Sequence, residues 1–325
     1  MMTRRDFCVG ATAVSAGCAS DPSLFTASDE DFDENAAVLL SDIHVAGDDA
    51  LSDRLFTRTE LDRRVAEILA LRPLPRHVIH FGDLSLENGD VRDYLYAAKK
   101  IRLLEDAGIR FVHMMGNHDR RGKFASVFPD VGQGSPVQGR YVSVVPFADC
   151  DLLLLDSLDA AEDHKRDDVP GRINEDQQEW LAKALPAWKR PVIVGAHHPF
   201  DALSAKGRPL ADLLVDSPNC VGWINGHRHV WNKGVCITWG RREDTIRTLE
   251  LPSAGFFLDI GFVKFRVDNG RATAELVQKD YFFFGPQRPG ERRPEVWDAI
   301  VSDNRGERCS FPLKRTIRPW AMGPS

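Results

Sequence analysis

Two histidines one residue apart, His227 and His229 in the stretch WINGHRHVW, follow an apolar run and a glycine. Residues i and i+2 of an extended segment share a side, so both imidazoles point one way at a strand end. The same placement recurs along the chain. LLSDIH delivers Asp42 and His44, IHFGD delivers Asp83, MMGNHD delivers Asn117, His118 and Asp119, and VGAHHP delivers His197 and His198. Each is a short apolar run that closes on Asp, Asn or His. In α/β sheets ligands gather beyond the carboxyl ends of strands, where the loops diverge and leave a crevice. These strand ends are therefore expected to converge on one small volume.

Carboxylates and imidazoles crowded together pay a desolvation cost on the order of several kcal/mol each unless something compensates it. Metal ions do so. A mixed nitrogen and oxygen donor set suits Mn, Fe or Zn better than Ca or Mg. So many ligands exceed what one tetrahedral ion takes. They suffice for two ions about 3.5–4 Å apart sharing one carboxylate, an arrangement that serves phosphoryl chemistry.

The elements that must position these residues alternate in type. AAVLLSDIH reads as a buried strand from Ala36. TRTELDRRVAEILALRP puts Leu61, Val65, Ile68 and Leu69 on one helix face, with Thr57 and Glu60 as a capping box and Pro73 as its stop. HVIHFGD is a strand, DVRDYLYAAKKIRLLEDAG a helix ended by Gly108, and IRFVHMMGNHD a strand and turn. YVSVVPFADCDLLLLDSL holds two strands joined near Ala148 and Asp149. INEDQQEWLAKALPAW starts a helix with Asn174 and Gln177 as cap partners, PVIVGAHHP is a strand, RPLADLLVDS a short helix and CVGWINGHRH a further strand. Beyond Trp231 the helical period vanishes, and strands turn at Asp268–Asn269–Gly270. The fold class is α/β: βαβ units followed by antiparallel strands, accommodated by a two-layer β-sandwich flanked by helices.

The ordered blocks Asp42-x-His44, Gly82-Asp83, Gly116-Asn117-His118-Asp119, His197-His198-Pro199 and Gly226-His227-Arg228-His229 resemble the calcineurin-like metallophosphoesterase superfamily. The resemblance spans residues 42 to 229 and implies an αββα fold. Carried over block by block, it implies that Asp42, His44 and His229 bind one metal and Asn117, His197 and His227 the other, with Asp83 bridging them. His197 is preferred to His198 because the family's ligand stands two residues before the proline. His118 is the implied acid assisting the leaving group, and orienting its neighbours is the simplest role for Asp119. The implied reaction is attack on phosphorus by a hydroxide bridging the ions. GDLSLENG lacks the Arg of Ser/Thr protein phosphatases, and the GNHD form is similar to the cyclic-nucleotide phosphodiesterase branch. A phosphodiesterase acting on a small organic phosphate is therefore expected. The alternatives are an exported phosphomonoesterase that scavenges phosphate and a catalytically silent, metal-containing binding protein. The intact His118 argues against the last, since binding alone needs no proton donor.

Composition agrees with such a protein. The chain has 325 residues, a formal net charge of −6 and 43% hydrophobic residues. With no basic excess to hold a polyanion, nucleic acid is not expected as the main partner. No apolar run approaches the roughly 18 residues a membrane helix needs. Residues 1–20 resemble a twin-arginine export signal, through Arg4, Arg5 and Phe7, and SAGC makes Cys18 a candidate lipid anchor. Export to the bacterial periplasm or cell envelope is the expected localisation. Residues 21–35 read as an acidic linker, 36–285 as the phosphoesterase domain and 286–325 as a C-terminal extension rich in Arg and Pro. Cys150 and Cys220, beside apolar strands, are expected as buried thiols. His77, His80 and His113 are expected as packed histidines, His164 as solvated, and Arg228 as a salt-bridge partner.

Overall fold

The computed structural model describes residues 31–160, 171–204, 208–232, 236–237, 246–256, 258–282 and 306–315. Residues 1–30 and His164, with the expectations attached to them, lie outside these. Two six-stranded sheets face each other. In the first, β1 (Phe32–Leu40), β2 (Leu74–His80) and β3 (Arg110–Val112) run parallel. The antiparallel strands β10 (Leu258–Asp268), β11 (Arg271–Phe282) and β12 (Arg308–Pro312) extend it from the other side of β1. The second sheet runs β4 (Ser143–Pro146), β5 (Asp151–Leu154), β6 (Val192–Gly195), β7 (Cys220–Asn225), β9 (Ile246–Glu250) and β8 (Cys236–Ile237). Within it β5, β6, β7 and β9 are parallel.

Period-two alternation sorts the apolar residues into layers. On β1, Ala37 and Leu39 enter the core between the sheets, while Val38 and Leu40 face outward. On β5, Leu152 and Leu154 point inward and Leu153 outward. The outer face of the first sheet is covered by α2 (Thr57–Leu69) and α3 (Val91–Asp106), through Leu61, Val65, Ile68, Ala97, Ile101 and Leu104. The outer face of the second is covered by α4 (Glu175–Ala187) and α5 (Arg208–Asp216), through Leu181, Leu185, Leu210 and Leu214. The result is the expected helix–sheet–sheet–helix stack. Because β1 to β3 and β5 to β7 are two parallel sets, each set delivers its carboxyl ends to one edge of the stack.

Several local expectations differ. β1 begins at Phe32, so residues 32–35, assigned to the linker, are strand. β12 belongs to the first sheet although it lies in the C-terminal extension; its Phe311 is buried between the sheets. The Thr57–Glu60 capping box does not form. A short helix, α1 (Asp49–Leu55), precedes α2 directly, leaving left-handed Phe56 as the N-cap without a side-chain hydrogen bond. Thr57 Oγ1 accepts instead from Ala46 N, and Glu60 pairs with Arg63 and Arg64. Asn174 does cap α4, accepting from the Gln177 amide. The hairpin of β10 and β11 turns on Asn269 and Gly270, both at positive φ, as a two-residue primed turn requires.

Candidate metal centre

The strand ends share an uncommon backbone. Asp42, His44, Asp83, His227 and His229 all adopt positive φ, between 48° and 72°. A left-handed L-residue costs on the order of 1–3 kcal/mol and persists where its surroundings over-determine it. Here they do. The Asp42 and His44 amides donate to the carbonyls of Gly82 and Asp83, both at 3.0 Å, locking the end of β1 to that of β2. The His227 amide donates to Asp42 Oδ2 at 3.0 Å, and Gly226 N donates to His197 O at 3.1 Å. A β-carbon on Gly226 would overlap Ser41 Oγ, and one on Gly116 would overlap the Asp83 carboxylate. Both glycines are thus fixed by close approach of neighbouring chain segments.

These contacts gather the expected side chains at the seam between the sheets. Asp42, His44, Asp83, Asn117 and His118 come from the first sheet; His197, His227 and His229 come from the second. His229 Nε2 lies 3.1 Å from Asp42 Oδ1 and 3.3 Å from His44 Nε2. His44 Nε2 is 3.6 Å from Asp83 Oδ2, which also lies 3.1 Å from His197 Nε2. Asn117 Oδ1 stands 2.9 Å from both His197 Nε2 and His227 Nδ1. Asp42, His44 and His229 form one group able to hold an ion; Asp83, His197 and His227 form another. Asp83, His44 and His118 also converge, so His118 borders the cluster. His197 points into it, whereas His198 turns to Ser157 Oγ at 2.9 Å.

The electrostatics suit a cation. Burial works to raise the Asp42 and Asp83 carboxyls, yet His229 and His197 respectively hold them below the usual range. His44 is pushed down to about 3, first by burial and then by His118. His227 is pushed down to about 4 by burial and by His197. Burial opposes a proton on His197, but Asp83 raises it to about 9. Two ionised carboxylates, the neutral imidazoles of His44 and His227 and the Asn117 amide oxygen, all turned inward, are donors for a divalent-metal site, where an ion would take the place of the proton that Asp83 holds on His197.

Asp119 has the orienting role expected of it, whereas the other residues that hold this arrangement were not foreseen from the sequence. Asp119, fully buried, accepts from the amides of Asp83 and Gly116, both at 3.0 Å, and from those of Leu84 and Ser85. Tyr94 donates to the same carboxylate at 3.1 Å. Burial and the nearby Asp83 push Asp119 up to about 6. Arg120, also buried, donates to the Asn117 and Asp119 carbonyls and fastens the turn. Ser41 Oγ donates to Asp42, and Ser253 Oγ donates to the Asp42 carbonyl. Only GNHD itself could have signalled Asp119; Tyr94 and Ser253 sit in ordinary helix and loop sequence. Arg228 forms the expected salt bridges, to Asp201 at 2.6 Å and Glu250 at 2.7 Å. His77, His80 and His113 are packed inside, as expected.

Residues 37–231 match the family model for calcineurin-like phosphoesterases. The chain belongs to that family. No curated protein matches its sequence significantly. Among solved structures it is similar to the purple acid phosphatase PPD1 of yellow lupin (Lupinus luteus) seeds, at 13% identity and TM-score 0.57. That likeness covers 86% of this chain but 53% of the lupin protein, so the chain spans about half of its length. Weaker likenesses are Vps29 of Chaetomium thermophilum (12% identity, 88% of this chain, 100% of that chain, TM-score 0.35) and a 5'-nucleotidase of Candida albicans (12%, 77%, 48%, 0.37). At such identities the lupin likeness speaks for the fold alone: two sheets flanked by helices, as this family member shows.

Asp119→Ala would strand several buried amides at about 1–3 kcal/mol each and free the loops bearing Asp83 and Asn117. Denaturant unfolding should show a loss of about 3 kcal/mol or more, and metal titration an affinity lowered by about 10–100-fold. A variant with unchanged affinity would remove Asp119 from the support of the site.

Proposed function

We propose that this family member is a dinuclear-metal-dependent phosphoesterase that hydrolyses a small organic phosphate, with a diester as its preferred substrate. The observation that carries this is the inward convergence of Asp42, His44, Asp83, Asn117, His197, His227 and His229 at the seam of the sheets. In this reading Asp42, His44 and His229 hold one ion, Asn117, His197 and His227 the second, and Asp83 is shared. Bound there, the ions supply Lewis-acid activation of water and neutralise charge on the phosphate. Mn, Fe and Zn all suit the donors.

The chain's own groups do the rest. His118 is half-buried, its ring 4.6 Å from that of His44, and among the described residues its Nδ1 has no hydrogen-bond partner. Its amide donates to Asp83 Oδ1 at 2.8 Å, which fixes it beside the cluster. A proton from this imidazole to the departing oxygen lets the ester bond break without releasing a bare alkoxide. Asn117 presents its amide at the same place and can donate to a phosphate oxygen.

The diester preference is supported by charge. The arginines nearest the blocks are committed within the protein. Arg228 pairs with Asp201 and Glu250, Arg120 with backbone carbonyls, and Arg121 with Asp156 at 2.7 Å. A monoanionic diester needs less positive charge than a dianionic monoester. A phosphate-scavenging monoesterase is the second reading. Export through the twin-arginine pathway, with Cys18 as a lipid anchor, is part of the proposal and rests on the N-terminal motif alone. Among the described residues no helix is long and apolar enough to cross a membrane.

His118→Ala should lower turnover of a phosphodiester with an alkoxide leaving group about a hundredfold or more, and of bis-p-nitrophenyl phosphate much less, with metal content unchanged by elemental analysis. Lost metal together with lost turnover would make His118 a ligand instead. The metal-loaded protein should cleave the diester faster than p-nitrophenyl phosphate, and the reverse order would favour the monoesterase.

A further inference from the structure

A hydrocarbon ring stands among the imidazoles. Phe256 lies against His44 with ring centroids 4.6 Å apart and planes tilted by 37°, and its centroid is 6.1 Å from that of His229. The ring is half-buried, so part of its surface stays accessible beside the cluster. Its loop is built to hold it there. Ser253 Oγ accepts from the Gly255 and Phe256 amides, at 3.2 and 2.8 Å, and donates to Asp42 O at 2.7 Å. The Ala254 amide donates to Ser41 O at 2.7 Å. Gly255 packs so tightly on Glu60 that a β-carbon there would overlap it. Phe256 is thus referenced to the Asp42 backbone by short bonds, though the two lie far apart in the sequence.

Phe256 also lies beyond residues 37–231, the span that carries the family's blocks. Ligand sites combine a few polar groups that orient with apolar surface that selects. The blocks supply the polar groups, and this loop supplies a flat apolar wall. We propose that Phe256 is a specificity-determining residue, which favours substrates carrying an aromatic group on the phosphate by packing that group against its ring. This rests on the phosphoesterase reading above. An offset or edge-on ring pair adds attraction beyond the apolar area it buries, and the two together lead to an expected discrimination of about tenfold.

The test compares phenylphosphonate with methylphosphonate, which share an anion and differ in the ring. Binding to the metal-loaded protein is measured by calorimetry, and inhibition of bis-p-nitrophenyl phosphate hydrolysis in parallel, for wild type, Phe256→Ala and Phe256→Leu. Wild type should bind the phenyl compound about tenfold tighter than the methyl one. Phe256→Ala should abolish that ratio and raise KM for the aryl diester more than it lowers kcat, with metal content retained; Phe256→Leu should fall between. A ring that merely packed against His44 would leave the ratio unchanged, and an unchanged ratio, or equal weakening of both phosphonates, overturns the assignment while leaving the phosphoesterase reading intact. Wild-type protein that takes up metal yet cleaves no ester overturns both.

Discussion

Two buried carboxylates, Asp42 and Asp83, set the terms for everything around them. Neither is accessible to solvent to any useful extent, and each faces imidazoles from the opposite sheet. A buried anion must be paired or neutralised. The fold meets that demand by bringing parallel strand ends from both sheets to one edge and bending those of β1, β2 and β7 into the left-handed region. The strain of that bending is held by mutual hydrogen bonds: β1 to β2 through their amides, and the second sheet to the first through the His227 amide on Asp42. The polar seam and the apolar core between the sheets therefore belong to one design. The core holds the sheets face to face, and the facing makes the carboxylates and imidazoles meet.

Much of this was legible in the chain. Fully apolar runs alternating with helical stripes pointed to two sheets under helices, and the recurrent closing of strands on Asp, Asn or His pointed to the convergence. What was hidden depended on tertiary contact. The Thr57–Glu60 pair has the spacing of a cap, but an abutting helix leaves no room for it to act as one. β12 has no periodicity long enough to announce a strand, and its place follows from pairing with β11. At the site, ligand types were visible by spacing, while Asp119 alone among the supports was legible, from its place at the end of GNHD. The amides it holds and the help of Tyr94, Arg120 and Ser253 show only in the folded chain. Phe256 sits in PSAGFF, where nothing local distinguishes it from a core residue.

The division between what binds ions and what surrounds them bears on function. The family's blocks supply a cluster whose charge suits cations and whose neighbour, His118, suits proton transfer. The arginines beside it are bound to protein acceptors or acids, which leaves a site of modest positive charge once loaded. The strand-rich portion after residue 231 contributes a loop fastened to Ser41 and Asp42. Chemistry and selection thus come from different parts of the chain and meet over the same few atoms.

The central claim is that this seam holds a pair of ions on which ester cleavage depends. Elemental analysis of the purified chain before and after exhaustive chelation, paired with hydrolysis of a phosphodiester at each stage, tests it most directly. The account predicts about two ions per chain, loss of turnover on their removal and recovery on adding back Mn, Fe or Zn. Undiminished hydrolysis by the metal-free protein, or failure to take up any ion, would contradict it.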